Sequence, residues 1–333
     1  MNRYKEPGYL STWLTGLFFL AAQGVFANDF QVSGNSISST LGNENPLMLP
    51  EFKSGTLQLA QKEAEAGAQT GTASAQAKSS GDDLAVAATN PIANLLQFQF
   101  QNTSSIESYN SSGYANAFVI QPVIPIKFTD DPDAFFKFGV TRTTLPILTT
   151  PDIDGVGQFT GLGDLVTFGF AIHEQKIVGI KSMWGVGPAL TLPTATSHKT
   201  GEGKFQMGPG AVLFLEPSKH IQTGVLAYHQ WDVAGDSERN YVNKSFFQPI
   251  LNYHFDSLFG QKGWYTSLQD ILWSYDWRAK ALDLPIGFRL GRVFKAGKMP
   301  LNVFVEPFGR PVNEGGTGGK YGVKLNITFL FPT

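Results

Sequence analysis

Tyr321-Gly-Val-Lys-Leu-Asn-Ile-Thr-Phe-Leu-Phe331 alternates two kinds of side chain almost to its end. A period of two puts Tyr321, Val323, Leu325, Ile327, Phe329 and Phe331 on one face of a strand and Gly322, Lys324, Asn326, Thr328 and Leu330 on the other. The same pattern recurs upstream. Leu282, Leu284, Ile286, Phe288 and Leu290 oppose Asp283, Pro285, Gly287, Arg289 and Gly291, and Leu96, Phe98 and Phe100 oppose Gln97, Gln99 and Gln101. Tyr265, Ile271, Trp273, Tyr275 and Trp277 are set against Thr266, Asp270, Ser274 and Asp276. Strands of soluble sandwiches are often about 5–6 residues long. Many of these runs reach the length of about 9–11 residues that a tilted strand needs to cross hydrocarbon.

Outward from that stretch, the spacing predicts twelve strands, over 94–102, 114–128, 135–148, 162–172, 177–192, 203–216, 220–234, 242–254, 264–276, 282–294, 300–309 and 320–331. Their connections alternate in character. Compact turns are expected at Thr129–Asp133, His173–Lys176, Glu216–Lys219 and Lys295–Lys298, with a longer one at Asp256–Gly263 on the same side. Longer loops are expected at Thr103–Gly113, Thr149–Thr160, Thr194–Gly201 and Arg310–Gly319. An even number of strands with short turns at one end and long loops at the other describes a transmembrane, antiparallel, up-and-down β-barrel. Closure removes every open edge, as a lipid environment requires. Trp231, Trp264, Tyr265, Trp273, Tyr275, Trp277 and Tyr321 lie near expected strand ends, where interfacial aromatic girdles belong.

Composition agrees with an all-β barrel. Of 333 residues, 42% are hydrophobic and only 16% charged, with 27 Phe, 10 Tyr, 6 Trp and 36 Gly. Mean hydropathy is −0.08, because a membrane strand needs an apolar side chain at only every second position. The chain has no Cys, which excludes a disulfide scaffold, a thiolate metal site, a Cys nucleophile and a lipidated Cys. A net charge of −2 supplies no field for nucleic acid.

The N-terminus predicts export. Arg3 and Lys5 precede the apolar run Leu14–Ala22, and Val25 and Ala27 stand at −3 and −1 of a cleavage site before Asn28. The run is shorter than the roughly 20 apolar residues of a membrane helix. Residues 1–27 therefore read as a signal peptide. Residues 28–92 read as a low-complexity periplasmic arm, mostly disordered because its Asn, Ser, Gly, Ala, Gln and Thr cannot bury enough apolar surface. Short helices are expected near Leu57–Gly67 and Asp82–Ala88, the second ended by Asn90-Pro91. A partner contact or a plug inside the barrel is the alternative for the arm. The barrel itself is expected over 93–333.

Several segments resemble a known family. Asn90-Pro-Ile-Ala-Asn-Leu-Leu96, Phe118-Val-Ile-Gln-Pro-Val-Ile-Pro125, Thr141-Arg-Thr143 and Gly161-Leu-Gly-Asp164 are similar to the bacterial barrel transporters that carry the label "neuromedin U" by an accident of naming. So are Trp184-Gly-Val-Gly-Pro188, Leu192-Pro-Thr-Ala195, Gln248-Pro249, Tyr275-Asp-Trp277 and Thr328-Phe-Leu-Phe-Pro332. The resemblance covers about residues 82–333, and that family is related to the barrels grouped with the meta-pathway of phenol degradation. It implies a Gram-negative outer-membrane transporter for small solutes, hydrophobic or aromatic compounds among them. The expected partners are outer-membrane lipids, the barrel assembly machinery and a solute of unknown identity. Many outer-membrane barrels end on an aromatic, whereas this chain ends Phe331-Pro-Thr333, which shifts an aromatic assembly signal to Phe329 or Phe331.

If the apolar faces meet lipid, the alternate residues line the lumen. This set holds Gln97, Gln99, Gln101, Lys181, Lys204, Gln206, Lys244, Gln248, Asn252, Asp270, Asp276, Asp283, Arg289, Glu306, Lys324 and Asn326. Arg142 and Asp164 join it, although Phe136 and Phe138 share the parity of Arg142. The mixed charges allow two arrangements: opposed walls that orient polar solutes, or ion pairs that brace a filled interior. A structural or surface-interaction barrel is the alternative to a conducting one. A lipid-active enzyme would need a Ser–His pair at the lipid interface, and His173, His198, His220, His229 and His254 fall in no such motif. Asp152-Ile-Asp-Gly155 lacks the remaining ligands of a calcium loop, and Asp130-Asp-Pro-Asp133 suits a turn. Gly161-Leu-Gly-Asp164 and Gly185-Val-Gly187 lack a following helix to hold a phosphate. No cofactor, metal or covalent chemistry is expected.

Overall fold

The computed structural model describes residues 81–111, 113–152, 157–268, 272–315 and 318–332. The expected signal peptide, the arm to residue 80, the helix near 57–67 and Asp270 lie outside these residues. Among the described residues one helix, α1 (Gly81–Ala88), is followed by fifteen strand segments. They are β1 (Leu96–Ser108), β2 (Ala115–Lys127), β3 (Phe138–Thr150), β4 (Phe159–Leu162), β5 (Leu165–Ile177), β6 (Ile180–Leu192), β7 (Lys204–Glu216) and β8 (Ile221–Gly235). Then come β9 (Asn243–His254), β10 (Trp264–Ser267), β11 (Trp273–Asp276), β12 (Ala281–Gly287), β13 (Arg289–Ala296), β14 (Met299–Asn313) and β15 (Gly319–Phe331).

Three pairs of segments each make one stave of the wall. β4 and β5 both pair with β3, β10 and β11 with β9, and β12 and β13 with β14. The result is a closed barrel of twelve antiparallel staves. β1 closes it against β15, from Leu96 opposite Phe331 to Ser108 opposite Gly319. No described helix is long and apolar enough to cross a membrane, which says nothing of strands.

The turns refine the expected boundaries. The hairpin expected at His173–Lys176 is centred about four residues later, because β5 runs to Ile177 and turns at Val178-Gly179. Both turn residues have positive φ, 51° and 81°, the geometry that matches a two-residue loop to twisted strands. At the opposite end β1 and β14 run on to Ser108 and Asn313, beyond the strand ends expected at 102 and 309. Loop length separates the two ends less sharply than expected, since 128–137 is long on the short-turn side and 277–280 is short on the other.

Burial is inverted relative to a soluble protein. Leu325, Ile327, Val305, Ile286, Phe288 and Leu251 are exposed on the outer wall, while Gln97, Gln206, Gln248, Asn252, Glu306 and Thr328 are buried. The expected alternation therefore holds on β1, β12 to β15 and β9. It fails at Tyr265, which is buried and donates a hydrogen bond to Asn302 Oδ1 at 2.8 Å. Ser267 pairs with Asn252, whereas Trp273 pairs with Phe247, so the register slips by one residue between β10 and β11. A slip of one residue exchanges faces: Tyr265 and Ser267 turn inward before it, Ser274 and Asp276 after it.

Candidate functional site

The interior has two unlike sides. Along β3, β5, β7, β8 and β9 the inward positions are Phe138, Val140, Phe168, Phe170, Val212, Phe214, Leu226, Tyr228, Phe246 and Ile250, which form one buried cluster. Phe168 and Phe170 stack at 4.9 Å, Tyr228 and Phe246 at 4.5 Å. The ring of Phe170 lies over Gly210, where a side chain would meet it at 2.9 Å. This explains the ambiguous parity of Arg142: the side chains sharing its face, Phe138 and Val140, point inward and not to lipid. Here the premise that apolar residues face outward does not hold.

The other side is polar and internally bonded. Gln101 donates to Gln99 at 3.0 Å and Gln99 to Gln97 at 3.2 Å, while Gln121 donates to Thr144 at 2.7 Å. Arg289 and Glu306 form a buried ion pair at 2.7 Å, with Lys324 opposite Glu306 on β15. Arg310 binds Asp283 at 2.8 Å. Lys244 lies 2.9 Å from Glu202 and 3.8 Å from Asp276, and Lys204 lies 3.6 Å from Asp232. Arg289, Arg310, Lys244 and Lys204 thus each meet a carboxylate, as burial in a low-dielectric setting demands. Asn326 donates to Thr328 at 2.9 Å. Gln206 and Asn252 are buried, and Gln248 accepts from Arg142 at 3.4 Å.

Two of the expected lumen residues stand elsewhere. The Lys181 side chain is 62% exposed at the short-turn rim, where it pairs with Glu216 at 2.9 Å. Asp164 sits in the break between β4 and β5 at the opposite end. Its carboxylate accepts the backbone N–H groups of Ala195 and Glu202 at 3.2 and 2.7 Å, which ties down the loop over 193–203. On the short-turn side, Asp256 accepts a hydrogen bond from Lys219 at 3.0 Å, which holds its carboxyl below the usual range.

A segment of the chain itself fills the short-turn end of the barrel. Leu84, Ala85, Ala88, Ala93 and Leu95 pack against Tyr265, Val293 and Leu330, and Ile92 joins the apolar cluster on the other side. Hydrogen bonds fix the join. Gln222 donates to the Val86 carbonyl at 2.9 Å, and Asn252 donates to the Thr89 carbonyl at 3.2 Å. Thr89 Oγ1 lies 2.7 Å from Gln222 Oε1 and 3.1 Å from His254 Nε2. Gln222 and His254 also satisfy each other at 3.1 Å. Asn90 and Pro91 end the helix, and Asn90 Oδ1 accepts the N–H of Ile92 at 3.0 Å. Above residues 88–91 remains a small chamber of about 30 Å³, lined by Gln97, Gln99, Arg142, Arg289, Asn302 and Thr328 among others.

Sequence reasoning did not find Gln222, His254, Glu202 or Arg310, whose partners are more than twenty positions away in the chain and come close only across staves. It also missed a Ser–His contact. On the outer wall His229 Nδ1 lies 2.8 Å from Ser245 Oγ, which also accepts the Trp277 indole N–H at 2.8 Å. His229 and Ser245 are cross-strand neighbours on β8 and β9, a pairing that only the register reveals. Among the described residues no group of three or more His, Asp or Glu is arranged to hold a metal.

No protein-family model and no curated protein matches the chain. Solved structures do. An outer-membrane channel of Pseudomonas putida F1 is 13% identical, with 71% of this chain and 94% of that one covered and a TM-score of 0.54. The NanC porin is 12% identical over 72% of this chain and 100% of its own, at a TM-score of 0.42. The outer membrane phospholipase A of Escherichia coli is 9% identical over 76% and 98%, at 0.39. The likeness to the first of these is one of fold.

Proposed function

We propose that this chain is an outer-membrane channel for small solutes, exported by a signal peptide cut near Ala27 and held shut at its short-turn end by residues 84–95. The observation that carries the reading is an apolar outer wall around a polar chamber, closed at one end by a segment whose polar contacts are hydrogen bonds rather than ion pairs. Such a seal can be displaced without separating buried charges, which would cost far more. The family resemblance and the barrel fold shared with a Pseudomonas channel support it. Gln97, Gln99, Arg142, Arg289 and Asn326 line the route; Lys181 and Asp164 serve the two rims. Outer-membrane lipids and the assembly machinery are the partners of the wall, and residues 28–80 form the periplasmic arm.

Planar bilayers test this. The full mature chain should give brief openings, and the pair Gln222→Leu with Asn252→Leu, which removes three hydrogen bonds to the plug segment, should open longer. Absence of channel events in both proteins at high protein load would overturn the reading.

A lipid-active hydrolase is the second reading, favoured by the Ser245–His229 contact on the lipid-facing wall. Against it, Ser245 is only 2% exposed and its hydroxyl already accepts from Trp277. Fatty-acid release from phospholipid vesicles that vanishes in Ser245→Ala would establish it.

A further inference from the structure

A titratable side chain sits at the join between the plug segment and the wall. His254 closes β9 at the short-turn end, buried, with its Nε2 3.1 Å from the hydroxyl of Thr89. The neighbours decide which ring nitrogen carries the hydrogen. Gln222 Nε2 donates to the Val86 carbonyl at 2.9 Å, which fixes that amide and leaves Gln222 Oε1 as an acceptor. His254 Nε2 lies 3.1 Å from this oxygen, so in the neutral ring Nε2 holds the hydrogen. Nδ1 is then a bare lone pair, and it has no hydrogen-bond partner among the described residues. A further proton can enter only there. It would make a buried cation whose new N–H meets no acceptor.

The charged and titratable groups around the ring do not relieve that cost. His220, on β8, lies 2.9 Å by its Nδ1 from the His254 carbonyl and 3.7 Å by its Nε2 from Asp256. Once protonated, His220 would repel a second charge on His254. The Asp256 side chain is 76% exposed, is bound to Lys219 at 3.0 Å and has Lys262 in its field as well. Tyr265, on β10, has its ring 5.9 Å from that of His254 and donates its hydroxyl to Asn302. Arg289, farther along the wall, is held by Glu306 at 2.7 Å. Asp82 and Asp83 open α1, at least about 9 Å along its axis from Thr89. The C-terminal end of α1 carries a partial negative charge, but the carbonyls of Val86 and Thr89 there already accept from Gln222 and Asn252.

We infer that His254 is a proton-operated latch on the plug segment: a neutral ring keeps residues 84–95 seated, and protonation releases them. The inference rests on the channel reading and names what regulates its closed end. A displaced segment leaves the ring in water, where an imidazole titrates at about 6.5. Proton uptake therefore accompanies opening. Linkage then gives the sign: closure is fully present above that value and is lost as the pH falls through it. With the seated ring kept neutral, the ratio of open to closed protein rises by up to about thirtyfold from about pH 7.5 to about pH 5.

The test uses the full mature chain in planar bilayers of neutral phosphatidylcholine. Open probability should rise at least about tenfold between those two pH values and return when the pH is restored. His254→Gln keeps an N–H donor but cannot be protonated, so its open probability should not change with pH. His220→Gln should retain the rise. Heat-modifiable gel migration at both pH values confirms that each variant is folded. The chain has no Cys, so Ala87→Cys can carry a single nitroxide on the plug segment. Its electron paramagnetic resonance spectrum should be that of a held label at about pH 7.5 and gain a mobile component at about pH 5, except when His254→Gln is also present. A rise in opening that survives in His254→Gln, or that His220→Gln abolishes, overturns the latch. So does opening that is indifferent to pH, which spares the channel. A chain that never conducts but frees its label at acid pH in a His254-dependent way supports the latch and removes the channel; one that neither conducts nor frees its label overturns both.

Discussion

Glu306 is 1% exposed and holds Arg289 in two contacts, 2.8 Å to Nε and 2.7 Å to Nη2, while Arg289 stacks on Phe304 at 3.5 Å. Lys324 stands opposite Glu306 on the next strand. Glu306→Gln would therefore leave cations on both sides of a neutral amide. Breaking a buried pair from one side typically costs about 3–5 kcal/mol, so the variant should convert from the heat-modifiable to the unfolded gel form at a distinctly lower temperature. Removing both charges with Glu306→Gln and Arg289→Met should recover much of that loss; equal damage from the single and double variants would show that the pair is not the cause. Odd and even positions assign Arg289, Glu306 and Lys324 to the polar faces of their strands, and all three side chains are buried. The positions alone did not reveal the partners, because Asp283 meets Arg310 and Lys244 meets Glu202 across strands, at sequence separations that alternation does not encode.

Among the elements, legibility follows the contrast between faces. β15 and β12 read correctly because one face is apolar and the other polar or small. β5 does not, since Leu165-Val-Thr-Phe-Gly-Phe-Ala-Ile172 carries apolar side chains toward lipid and toward the interior alike, which erases the period of two. The broken stave β10–β11 misleads for another reason: a slip of one residue changes the phase, and nothing in Tyr265 itself announces it. Glycines make the filled side possible. Phe170 occupies the space above Gly210, and a Cβ there would also meet Tyr228 at 3.2 Å. Gly210→Val should thus overpack the interior and cost about 1–3 kcal/mol, seen as a lower midpoint in chemical unfolding. Gly309, whose nearest neighbour is a backbone oxygen at 4.0 Å, is the control that should tolerate Ala.

For the molecule as a whole, the decisive question is what the outer wall touches. A barrel standing in water would treat its outward positions alike, whereas hydrocarbon penalises a charge by depth. Leu325 is 51% exposed and pairs with Asn102 and Val305 in the middle stretch of β15, while Tyr321 lies near the strand's start opposite Glu107. Arg at the bilayer midplane of such a wall costs about 2–4 kcal/mol, falling to about 0–1 near the interface. Leu325→Arg should accordingly destabilise the folded protein in lipid vesicles by several kcal/mol more than Tyr321→Arg, measured as the difference in unfolding free energy against denaturant. Inward changes at the same level, such as Asn326→Ser, should not follow this depth rule, because Asn326 faces Asn302 and Thr328 rather than lipid. Equal costs at 321 and 325 would mean that the wall is not crossing a bilayer. The channel would then lose its membrane, even though the barrel and its inverted burial stood unchanged.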